Sequence, residues 1–260
     1  MIEQTVPANL LTGKTAARPG AVSFKFSRYF DLAALPTPPR RFGHYQKVQQ
    51  WGELGNDIAG DCVWAGAGHE TMLWNAANKR PINITAANSL SDYSALTGYS
   101  PSKPFSDRGT DMSDAADYRR KTGIVDAAGI RHTVDAYVSI HAGDIDTLML
   151  ATYLFGAVGF GMIFPLTTKT QFTHQQPWDL IPGAVTEGGH YISVVGRNSA
   201  GNILLVTWGR LHAMTPQFAR AYNDENIAYL SLEWLDSSSM LTPDNFDRAA
   251  LVKDLAALAA

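Results

Sequence analysis

Cysteine is nearly absent: one in 260 residues. That excludes an internal disulfide and every cysteine-rich metal centre. A lone thiol fits a chain made in a reducing compartment, so the cytoplasm is the expected location. Charge is scarce and almost balanced, with 21 Lys+Arg against 24 Asp+Glu. The basic residues are scattered, which argues against a nucleic-acid partner. Long apolar runs are missing too. Residues 148–165 come nearest to the ~18 residues of a membrane span, and Gly156, Gly159 and Gly161 interrupt them. The N-terminus lacks the charged-then-apolar pattern of a secretion signal. No phosphate-cradling glycine motif occurs, and no cofactor is expected. His69, His132, His141, His174 and His212 are dispersed without ligand-spaced partners, so no metal is expected either.

What is present centres on the single cysteine. Cys62 follows Gly60-Asp61 and opens a proline-free stretch running to Asn78, with Val63, Ala67 and Trp74 at helical spacing. A thiol in the first turn of a helix faces orphan N–H groups and the positive end of the dipole, which favours thiolate. The alternative is a small buried apolar residue, as most free cysteines are. Asp61 suits the N-cap position, although a carboxylate beside a thiolate also opposes its ionisation. His190 lies 128 residues further on, at the head of the apolar run Tyr191–Gly196, and reads as the start of a strand. A helix-borne cysteine with a distant strand-borne histidine is the arrangement of thiol hydrolases. Imidazole can take the thiol proton and later protonate a leaving amine.

The chain divides by composition. Residues 1–40 form an extended arm rich in proline, alanine and small polar residues, with one short strand candidate at 21–26. Residues 41–243 form the main domain, with a helical lobe at about 55–145 and a strand-rich lobe at about 160–235. Residues 91–96 are a second helix candidate. Residues 197–202 read as a polar hairpin turn between strands. Residues 172–181, with His174 and Trp178, read as a polar loop on the substrate side. Thr215-Pro216 caps a helix reaching Tyr222, followed by a strand at 227–232. Residues 244–260 form an amphipathic C-terminal helix.

Several ordered blocks together resemble the papain-like cysteine peptidases, over roughly residues 35–235. They are residues 55–62 (GNDIAGDC) with Trp64, residues 109–123 (GTDMSDAADYRRKTG), residues 136–160, His190, and residues 203–209 (ILLVTWG) with Trp208 18 places after His190. The resemblance implies an α+β, two-lobed fold, the cysteine helix packed on an antiparallel sheet or barrel, with the arm and C-terminal helix added. It implies Cys62 as nucleophile, His190 as base then acid, Asn56 at the family's oxyanion-hole glutamine, and Trp208 shielding the histidine. The family's imidazole-orienting asparagine falls at Val206, which has no polar side chain. Thr207 is the neighbouring hydroxyl, on the opposite strand face unless a bulge intervenes.

The resulting expectation is a thiol hydrolase cleaving peptide or isopeptide bonds, weak or narrow in specificity. No zymogen inhibitory domain fits in the first ~40 residues, and a broad cytoplasmic protease without one would be toxic. The main alternative is a catalytically impaired papain-fold protein serving as a structural or interaction subunit, for instance of a bacteriophage virion. A cell-wall amide hydrolase ranks last, because its cysteine-to-histidine spacing is shorter. A peptide or protein substrate is the expected ligand. The apolar side chains of the arm (Leu10, Leu11, Phe24, Phe26, Tyr29, Phe30) and of the C-terminal helix need cover, so an assembly partner on one of them is expected; nucleic acid and membrane are not.

Overall fold

The computed structural model describes residues 9–29 and 35–234. The C-terminal helix expected at 244–260 lies outside these residues. In chain order the elements are α1 (Phe26–Tyr29), α2 (Cys62–Ala77), α3 (Ala86–Thr97), α4 (Met112–Lys121), β1 (Ile124–Val125), β2 (Arg131–His132), β3 (Ala136–Ile140), α5 (Ile145–Phe155), β4 (Val158–Pro165), α6 (Thr167–Thr173), β5 (Thr186–Arg197), β6 (Ile203–Thr207), β7 (Arg210–Met214), α7 (Pro216–Tyr222) and β8 (Asn223–Leu230). Six strands form one antiparallel sheet in the order β3-β8-β4-β5-β6-β7.

Alternation along the strands puts most of the core into two clusters, one on each face of the sheet, with a smaller third around Leu73 and Val206. Val138, Phe160, Ile192, Val194 and Leu205 pack against α5 and α7. Tyr191, Ile227 and Tyr229 join α2, α3 and α4 in a second cluster. Every residue of α2 from Cys62 to Asn75 is buried. A helix apolar on all sides belongs in an interior, and α2 is the central post on which the helical lobe and the sheet meet. Beneath it, Glu70 and Arg119 form a fully buried ion pair (2.7 Å), and Tyr191 Oη donates to the same Glu70 carboxylate at 2.7 Å.

Local signals explain most boundaries. Thr215 Oγ1 accepts from Phe218 N and Pro216 opens α7, as the sequence indicates. Asp111 caps α4 with its carboxylate. Asn198 closes the β5–β6 turn through its side chain. The helix expected at 91–96 is real but longer, because Thr85 and Asn88 build a reciprocal capping box upstream.

Four expectations need correction. Residues 21–26 make a single bridge, Lys25 to Ser139, and then turn into α1; Phe26 is drawn into the α5 core, which ends the extended run. The strand β3 pairs with β8 and so belongs to the sheet, although it lies within the range assigned to the helical lobe. The final strand starts at Asn223 and stops at Leu230, beyond which Leu232–Trp234 is a 3₁₀ turn. Trp178 is not on a polar loop tip: it is fully buried, donates to Thr168 O at 3.1 Å, and packs on Trp208 and Phe218.

Candidate active site

Cys62 opens α2, as its spacing suggests, and its thiol is buried. The backbone N–H of Tyr191 donates to Sγ at 3.4 Å. The sulfur therefore sits against the residue that follows His190 on β5. His190 is completely buried. Its ring stacks on Trp208, centroids 4.7 Å apart and planes 19° apart, with Phe164 edge-on. Trp208 can lie there because it and Gly209 form the two-residue β6–β7 turn with φ of 43° and 70°. That is the primed geometry which matches hairpin twist.

His190 Nε2 lies 2.7 Å from Thr207 Oγ1, and Nδ1 has no hydrogen-bond partner. With Nε2–H donated to the threonine, Nδ1 carries the free lone pair. Thr207, not Val206, thus faces the imidazole. The bulge that parity requires exists: β5 and β6 shift register between Val194 and Gly196, where Val195 is extra. Val206 pairs with Ser193 and packs beside Leu73 and Ala157.

Asp61 occupies the N-cap position, but its side chain makes no capping bond. Its φ/ψ of −99°/22° leave the extended region from which a cap side chain reaches N2 and N3. The carboxyl is turned inward and fully buried, and burial, with Asp107 second, pushes its pKa well up. Asn56 is also buried, and its Nδ2 donates to Ala59 O at 3.2 Å, so the amide braces its own loop in this conformation. His69, on the same helix as Cys62, is an interior histidine whose Nε2 contacts Gly52 O at 2.9 Å, with Nδ1 buried without a hydrogen bond.

The N-terminal arm runs through the site. Trp208 Nε1 donates to Leu11 O at 2.8 Å. Gly13 N and Lys14 N both reach Gly189 O (3.2 and 3.1 Å). On the other side Thr110 N donates to Gly13 O at 2.7 Å and Thr15 N to Thr110 O at 3.0 Å. The passage is narrow: a Cβ on Gly13 would fall 1.8 Å from Gly60 O, so only glycine fits the crossing. Further on, Arg18 clamps Asp111 and Asp114, both at 2.6 Å. This cover sets the electrostatics. Burial pushes the Cys62 thiol up to about 12; the Tyr191 N–H opposes this, Asp61 adds to it, and Lys14 and the Gly13 N–H oppose it. Burial, with Lys169 second, lowers His190 to about 3. Under the arm both groups are neutral.

Among the described residues there is no group of three or more His, Cys, Asp or Glu able to hold a metal, and no helix long and apolar enough to cross a membrane. Lys14, Glu70, Arg119, Asp224 and Glu225 carry no pattern in the sequence that marks them for this site.

No protein-family model and no curated protein matches the chain. Solved structures do. Xylellain, a cysteine protease from Xylella fastidiosa, superposes with a TM-score of 0.62 at 13% identity, covering 89% of this chain and 99% of that one. Procathepsin B S9 from Trypanosoma congolense gives 0.61 at 12% identity, covering 86% and 88%. Digestive procathepsin L 3 from the larval midgut of Tenebrio molitor gives 0.58 at 15% identity, covering 86% and 77%. The chain has the papain-like fold that the ordered blocks of its sequence imply.

Proposed function

We propose that the protein is a papain-like thiol hydrolase acting on peptide bonds, held here in a self-covered resting form. The observation that carries the reading is the seat of His190: Nε2 held by Thr207, one face held by Trp208, Nδ1 without a partner, and the next residue's N–H on the Cys62 sulfur. An unpartnered ring nitrogen alone does not mark His190, since His69 Nδ1 and His212 Nε2 are also buried without a hydrogen bond; the combination with the Thr207 hydroxyl and the adjacent thiol does.

In this mechanism Nδ1 takes the Cys62 proton and the thiolate attacks the scissile carbonyl carbon. The tetrahedral oxyanion is met by the Cys62 backbone N–H at the head of α2, where the helix dipole assists. Asn56 joins it only if its amide leaves Ala59 O. The imidazolium then protonates the departing amine, and water, deprotonated by the same nitrogen, releases the acid product. Thr207 and Trp208 are positioning residues: the first fixes the tautomer, the second keeps water from the imidazole.

The arm must leave before a substrate enters. Uncovering rehydrates the pair, which lowers the thiol pKa and raises that of the imidazole. The alternative of a papain-fold subunit without catalysis draws on the buried, neutral state of the pair. The hydroxyl bond to His190 favours catalysis. An assembly partner remains part of the proposal only outside the segment that fills this cleft, since Leu10 and Phe26 of the arm already pack in the chain's own core.

The test is turnover of a peptide–aminomethylcoumarin set. Lys14→Ala should loosen the arm and speed hydrolysis over the wild type, and Cys62→Ala in that background should abolish it. Hydrolysis that survives Cys62→Ala, or none in any variant, refutes the reading.

A further inference from the structure

Lys14 is the most deeply buried cation of the arm, with a side chain 0% exposed. Its ammonium lies 2.9 Å from Asp224 Oδ2 and 3.0 Å from Glu225 Oε1, and it donates to Thr15 O at 2.9 Å. The stem passes a gap left by Gly161, where a Cβ would fall 2.3 Å from Lys14 Cε and 2.7 Å from Met112 Sδ. Met112, Gly161, Asp224 and Glu225 all belong to the body of the protein. The pocket is therefore built by the fold, and the arm supplies only its occupant.

Its position relates it to the thiol. Gly13 and Lys14 share the Gly189 carbonyl, one residue before His190, and the Gly13 N–H faces Cys62. A peptide laid along the same track places one side chain in this pocket, a single residue from the one over the sulfur. Burying an ammonium without anions is costly, and here two carboxylates meet it. Burial pushes the Glu225 carboxyl up and the Lys14 charge opposes that.

We propose that the pocket holding Lys14, floored by Asp224 and Glu225, is the specificity pocket of this site and selects a basic side chain in the polypeptide substrate. The proposal rests on the hydrolase reading of Cys62 and His190. The arm is then a tethered mimic of the substrate, anchored by the side chain that the pocket prefers.

The experiment measures binding, so it stands apart from turnover. Two short peptides, identical except for lysine or norleucine at one position, are titrated into the full chain carrying Cys62→Ala and Lys14→Ala. The lysine peptide should bind at least about tenfold more tightly, the worth of a hydrogen bond to a charged group. Adding Asp224→Asn and Glu225→Gln should erase the difference. The wild-type chain, in which the peptides compete with the arm, should give the same order at weaker affinity, and this serves if the alanine variant unfolds. Equal affinity for the two peptides, or a preference that persists without the carboxylates, overturns the pocket assignment while leaving Cys62-dependent turnover intact. Selective binding without such turnover would keep the pocket and refute the hydrolase.

Discussion

Glu70→Leu should cost about 3–5 kcal/mol of stability, and the number follows from what Glu70 holds. The residue is fully buried, and its two oxygens accept from Arg119 Nη1 at 2.7 Å, Tyr191 Oη at 2.7 Å and Ser193 Oγ at 3.2 Å. Removing it leaves a guanidinium that is 2% exposed without its anion, the situation in which a broken buried pair costs ~3–5 kcal/mol. Two effects adjust this figure in opposite directions. The guanidinium keeps its seat 3.8 Å from the Tyr229 ring centre, which offsets about 1–2 kcal/mol. Tyr191 Oη loses its acceptor, which adds about 1–3 kcal/mol, whereas Ser193 Oγ still has Gly66 O at 3.0 Å. The terms nearly cancel. At roughly 2–4 °C per kcal/mol for a chain of this size, Tm should fall by about 6–20 °C. Glu70→Leu combined with Arg119→Met removes both charges and should be clearly more stable than the single variant. Calorimetry or chemical denaturation of the three proteins checks this. A single variant within about 1 kcal/mol of wild type, or a double variant no better than the single, would show that this pair is not what ties α2 to α4.

Other predictions concern the site and its supports. Thr207→Val should lower kcat about tenfold with little change in KM, and Thr207→Ser should restore it, because the bond to His190 is a positioning contact; an unchanged kcat refutes the role. Gly66→Ala improves helix propensity by up to about 1 kcal/mol, yet its Cβ would lie 2.3 Å from the Tyr191 ring, so overpacking should win and the variant should be destabilised; a higher Tm would contradict this. Burial, with Asp57 second, raises Glu53 from 4.5 to about 7. The folded state therefore holds the extra proton between those values, and this group's contribution to stability is lost as pH rises through that window. Glu53→Gln should flatten the fall in Tm between pH 4.5 and 7, and an unaltered slope would argue against the shift.

Much of the scaffold was legible because its signals are local. Thr215-Pro216 fixes the start of α7, and Asn198, in the polar stretch 197–202, the β5–β6 turn, each within four residues of its effect. Cys62 and His190 stand out by chemistry and order along the chain. The misses share a different character. Val206 and Thr207 exchange roles because one extra residue, Val195, reverses strand parity, and its one sequence mark is Gly196 inside the apolar run, a signal glycines at strand ends share. Trp178 looks like a loop residue because its neighbours are polar, but its own ring fills the space beneath Trp208. Asp61 has the composition of a cap and the backbone of a buried acid. The Lys14 pocket needs contacts between residues 210 positions apart, which no pattern within the arm reveals.

The central claim is that Cys62 and His190 act as one catalytic pair, and the rate of Cys62 labelling by a lysine-containing peptidyl electrophile at pH 7 tests it most directly. Followed by intact-protein mass spectrometry in the Lys14→Ala background, the rate should fall about a hundredfold or more when His190 becomes alanine, the usual worth of a positioned general base. Equal rates with and without the imidazole would mean that the thiol reacts alone, and the pair would not exist.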